Sequence, residues 1–97
     1  MSNHRLPIGH QLNLVSDTLV GSYSFHPAGH VSATIGAKNG PLAAPVFSYR
    51  VTSEDSVEII DSNGRIERWD GIRVEDDLLH VECNGQPQTF IIGKPTP

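Results

Sequence analysis

The chain has 97 residues, 37% of them hydrophobic, with 11 acids against 7 Lys and Arg and a formal charge of −4. That length suits one core rather than two, and the lack of clustered bases argues against nucleic-acid binding, which depends on counterion release. No stretch nears the ~20 apolar residues that span a bilayer, residues 1–13 hold no apolar signal-peptide segment, and the single Cys83 cannot form an internal disulfide, so a soluble cytoplasmic protein is expected.

In chain order, residues 1–15 read as an N-terminal arm, with Gln11-Leu12-Asn13-Leu14-Val15 alternating weakly enough to be an edge strand. Ser16-Asp17-Thr18 offers turn chemistry, and Leu19 to Phe25 is a period-2 segment rich in β-formers. Strands follow to Ile92, and no window carries the 3.6-residue apolar period of a helix. Residues 16–93 are therefore expected to form one barrel domain, and 94–97 a C-terminal tail.

Loop parity assigns the faces, because side chains alternate along a strand and loop length decides which parity of the next strand joins a given face. Pro27-Ala28-Gly29 and Ser62-Asn63-Gly64 each fit a three-residue loop with glycine in the left-handed position. The first sets Phe25 against Val31 and Tyr23 against Ala33; the second sets Val57 against Trp69 and Ile59 against Glu67. Asp70-Gly71 and Asp76-Asp77 read as two-residue hairpin turns, joining Trp69 to Ile72 and Val74 to Leu79. Ser53-Glu54-Asp55 reads as an odd loop and Asn84-Gly85-Gln86-Pro87 as an even one. Ala37 to Pro45, with Gly40-Pro41 and Pro45, reads as a long loop able to touch a ligand or partner.

The inward set then comprises Leu19, Tyr23, Phe25, Val31, Ala33, Ile35, Phe47, Tyr49, Val51, Val57, Ile59, Trp69, Ile72, Val74, Leu79, Val81, Cys83, Phe90 and Ile92, and holds every aromatic residue. The fold class predicted is all-β, an antiparallel meander of seven or eight short strands, closed or partly open as a small barrel, since an open meander would leave two exposed edges.

Four features bear on chemistry. Tyr23, Phe25, Phe47, Tyr49, Trp69 and Phe90 make an aromatic face suited to a small apolar ligand. Glu67 is the one carboxylate on that face, a candidate polar anchor or catalytic base that Tyr23 or Tyr49 would hydrogen-bond. His26 and His30 flank a hairpin as a candidate metal pair without an evident third ligand. Arg68 and Arg73 are expected to oppose each other on the outer face beside Glu58 and His80. Val20, Val46, Ile60, Ile66, Leu78 and Ile91, also outward, form a candidate patch for a homodimer or protein partner.

Leu19-Val20-Gly21-Ser22-Tyr23, preceded by Ser16-Asp17-Thr18 and followed by an up-and-down meander, resembles the opening of lipocalins and fatty-acid-binding proteins, the calycin group. Tyr23 stands where that group's Gly-x-Trp motif has its tryptophan, and no late arginine is evident to stack on it. The resemblance implies a reduced barrel around a small apolar ligand. The expectation is thus a ligand-binding barrel without cofactor. The alternatives are a protein-interaction module of inhibitor or immunity type with a filled core, and an enzyme using Glu67 for proton transfer.

Overall fold

In a computed structural model that describes residues 6–95, the chain is all-β. Its strands are β1 (His10–Leu14), β2 (Leu19–Phe25), β3 (His30–Ala37), β4 (Leu42–Ala43), β5 (Val46–Ser53), β6 (Ser56–Ile60), β7 (Ile66–Glu75), β8 (Leu78–Cys83) and β9 (Gln86–Pro95). All pairings are antiparallel, and eight strands close into a barrel in the ring order β1-β2-β3-β5-β6-β7-β8-β9, with β4 as an extra strand on β3. Closure leaves the ring with no free edge strand. None of the described residues lies in a helix long and apolar enough to cross a membrane.

The expected registers recur in the hairpins. Phe25 pairs with Val31 and Tyr23 with Ala33, Val57 with Trp69 and Ile59 with Glu67, Val74 with Leu79, and Leu79 with Phe90. Left-handed residues make these turns possible: Gly29 at φ 104° and Gly64 at φ 82° close the three-residue loops, and Asp76, Asn84 and Gly85 also have positive φ.

Three segments differ from the sequence reading. Asp70-Gly71 is not a hairpin, because Ile66–Glu75 is a single strand of 10 residues. Asp70 pairs with Glu82 and Arg73 with His80, so Gly71 and Ile72 together face one partner position, with Gly71 at φ 63°. This is a β-bulge with glycine at its left-handed residue. A bulge shifts side-chain parity by one, as a two-residue turn does, so Trp69 and Ile72 still share the interior, each with 0% exposure. Arg68 and Arg73 therefore do not oppose one another: Arg68 pairs with Glu58, while Arg50 forms the close ion pair with Glu58 at 2.6 Å.

Residues 10–14 are neither arm nor edge. Hydrogen bonds hold β1 to β2 on one side and to β9 on the other, and Leu12, with 0% exposure, points into the core. The segment from Ala37 to Pro45 is also not wholly loop, since Leu42 and Ala43 turn back to pair with Gly36 and Ile35.

Phe25, Trp69, Phe90, Leu12, Ile72, Leu79, Val31 and Val57 are the largest fully buried side chains and fill the middle of the barrel. Trp69 stacks on Phe90 with centroids 5.1 Å apart, and meets Phe25 edge-on at 5.3 Å and Tyr23 edge-on at 5.2 Å. Such contacts add to area burial in a close-packed interior. Leu19, Val51 and Val74 carry inward parity but are 52%, 50% and 44% exposed.

Candidate functional site

The two ends of the barrel are built differently. The turns at 27–29, 54–55 and 76–77 lie at one end, here the upper; those at 62–64 and 84–85 lie at the other, the lower. Residues before β1 cover the upper end: Leu6 is 3% exposed within the core cluster, Ile8 packs against that cluster, and the Gly9 amide donates to the Phe25 carbonyl at 2.8 Å. Tyr49 is engaged on this side too, its hydroxyl donating to the His26 carbonyl at 2.8 Å. It is thus not bonded to Glu67.

At the lower end the interior opens. Phe47, Ile59, Asp61, Arg65, Ile66, Glu67 and Asn84 line a depression of about 260 Å³. A second, more apolar one of about 390 Å³ at the same end is lined by residues including Leu14, Leu19, Tyr23 and Ile35. Glu67 faces inward opposite Ile59 and is half-buried. Its partner is Trp69, two residues on along the same face of β7, whose Nε1–H donates to Glu67 Oε2 at 2.6 Å. A charge-assisted bond of this length fixes the carboxylate. Among the described residues, Oε1 accepts no hydrogen bond.

Tyr23 and Cys83 complete the neighbourhood. Cys83 pairs with Trp69 across β7 and β8. Burial first, then the Glu67 charge and Cys83, push the Tyr23 phenol up to about 12; burial and then Glu67 push the Cys83 thiol up to about 12. Both groups keep their protons at neutral pH. Cys83 accordingly lacks thiolate character.

These shifts set an alkaline limit. Tyr23 and Cys83 bind their protons more tightly folded than at their ordinary values of 10.0 and 9.0. Their contribution to stability is therefore complete below about pH 9 and is lost as pH rises towards about 12. Urea midpoints between these limits should fall less steeply in Tyr23→Phe/Cys83→Ala than in the parent chain. At pH 8, iodoacetamide should alkylate Cys83 at least about tenfold more slowly than an unstructured cysteine peptide, because burial keeps the thiol protonated.

The remaining candidates divide. Phe25, Trp69 and Phe90 are sealed in the middle of the barrel at 0%, 0% and 2% exposure, whereas Tyr23, Phe47 and Glu67 stay accessible. His26 and His30 do come together, with rings stacked at 4.4 Å and 20°, and His26 Nε2 lies 3.2 Å from Ser32 Oγ. Stacked rings hold their in-plane nitrogen lone pairs side by side, a poor arrangement for one tetrahedral ion. No group of three or more His, Cys, Asp or Glu among the described residues could hold a metal. On the outer face Ile60 pairs with Ile66 and Leu78 with Ile91, two separate apolar spots on different strand pairs.

The division between a sealed middle and an open lower end was beyond sequence reasoning, as was the role of Arg65 and Asn84, which hairpin geometry brings to the mouth. Compared with known proteins, the chain matches no family model, no curated protein and no solved structure.

Proposed function

We propose that this chain is a reduced lipocalin-like barrel, of calycin type, that binds a small, mainly apolar ligand at its lower end. The observation that carries this reading is Glu67: a carboxylate clamped by the Trp69 indole beside a depression of about 260 Å³, with Phe47 and Ile59 as apolar walls. Apolar walls combined with a few fixed polar groups are the usual form of a small-ligand site, and this depression has both, with the polar share the larger. The ligand occupies the mouth and not the aromatic middle, because eight strands leave an interior that side chains fill, as Phe25, Trp69 and Phe90 do here.

Trp69 is the only tryptophan, and its indole touches the anchor, so its emission reports on the site. Titration with an apolar anilinonaphthalene dye should give a saturable change in Trp69 emission with micromolar affinity and should slow Cys83 alkylation further. Glu67→Gln should alter the emission of the free protein. No response in either signal to millimolar dye or to diverse apolar ligands would overturn the reading.

A further inference from the structure

The charges around the lower mouth are oddly unpaired. Arg65 and Glu67 both line the depression of about 260 Å³ and, two residues apart, share one side of the chain entering β7, with Cα atoms about 7 Å apart at ordinary strand rise. Here Glu67 turns inward to the Trp69 indole, and among the described residues neither Glu67 nor the Arg65 guanidinium makes an ion pair.

The other polar groups at the mouth are held by their hairpins. Asp61 Oδ1 accepts from the Asn63 and Arg65 amides at 2.8 and 2.9 Å, closing the 62–64 turn. Asn84 Oδ1 accepts from the Arg68 amide at 2.8 Å, so the side-chain amide nitrogen is the part of Asn84 left to donate. The mouth therefore offers acceptors in Glu67 Oε1 and Asp61 Oδ2, donors in Arg65 and the Asn84 amide, and apolar walls in Phe47 and Ile59.

A ligand complementary to this inventory carries an ammonium and a carboxylate a few atoms apart on a compact apolar body. From this we infer that the site takes a free apolar α-amino acid, its ammonium on Glu67, its carboxylate on Arg65 and Asn84, and its side chain against Phe47 and Ile59. The inference rests on the proposed ligand-binding reading and specifies the head group. A guanidinium recognises a carboxylate by paired N–H donors, and a lone amine would leave Arg65 without a partner.

Calorimetry with L-leucine, leucinamide and N-acetyl-leucine separates the contributions. Leucine should bind, with leucinamide and N-acetyl-leucine each at least tenfold weaker. Arg65→Gln should abolish the preference for leucine over leucinamide while keeping the preference over N-acetyl-leucine; Glu67→Gln should do the reverse. Circular dichroism confirms that each variant is folded. Leucinamide or N-acetyl-leucine binding as tightly as leucine, or Arg65→Gln leaving all three affinities unchanged, would overturn the zwitterion assignment. If dye binding persists while leucine fails, only the assignment is lost; if the dye fails too, the ligand-binding reading falls with it.

Discussion

Trp69→Ala should cost about 3–5 kcal/mol of stability, as expected for removing a fully buried large aromatic. Trp69 is at the centre of the filled interior, with 0% exposure and ring contacts to Phe25, Tyr23 and Phe90 at 5.1–5.3 Å. Domains of this size are stable by about 5–15 kcal/mol, so one substitution removes a large share. Urea unfolding followed by far-ultraviolet circular dichroism is the measurement, since the variant has no tryptophan emission. Trp69→Phe retains most of the ring packing and loses the bond to Glu67, so its cost should be about 1–3 kcal/mol. A loss below about 1 kcal/mol in the alanine variant would mean that the middle of the barrel is not close-packed.

The second large effect is expected at Leu12. Its side chain is fully buried, and its backbone position pairs with Tyr23 on one side and Ile92 on the other. Leu12→Asp places an unpaired carboxylate in the apolar interior at the strand that closes the ring, and should cost about 4 kcal/mol or more. Hydrogen exchange should then quicken first in β1, β2 and β9. Should the aspartate variant not fold at all, Leu12→Ala, at about 2–5 kcal/mol, gives the same test on a folded chain. An unchanged urea midpoint in both variants would show that β1 does not close the barrel.

Much of this fold was legible because its turns are chemically explicit. Gly29 and Gly64 occupy left-handed positions that other residues enter at a cost, so loop length, and from it the facing of Phe25, Tyr23, Val57 and Trp69, followed from sequence. Asp70-Gly71 shows the limit of such signals, since the same dipeptide serves a hairpin and a bulge and only the partner strand distinguishes them. Parity was preserved either way, so the faces were right although Asp70-Gly71 is a bulge and not a turn. Parity also fixes direction without depth: Leu19, Val51 and Val74 point inward, yet remain exposed.

The closing role of β1 was not legible, because its weak alternation carries no mark of a partner near the other end of the chain. The candidate site shows the same split. Glu67 stood out as a carboxylate on an apolar face, but its bond to Trp69 rather than to a tyrosine depends on side-chain geometry. Asn84 read simply as a loop residue, and Arg65 carried no signal, until the ring brought their turns to one mouth.

Seven of the eight junctions in the ring are between strands that follow one another around it in chain order, whereas the junction of β1 with β9 joins residues roughly 80 positions apart. That seam closes the longest loop and so carries the largest single closure cost, which should make it zip last in folding. It also brings His10 and Pro95 into register, so a short peptide joining Pro95 to the segment that precedes β1, with Leu6 and Ile8 kept in place, would allow the backbone to be cut at any tight hairpin, Asp76-Asp77 for example. The architecture is in this sense indifferent to where its chain starts, and a circularly permuted version with the seam made covalent should fold faster than the parent.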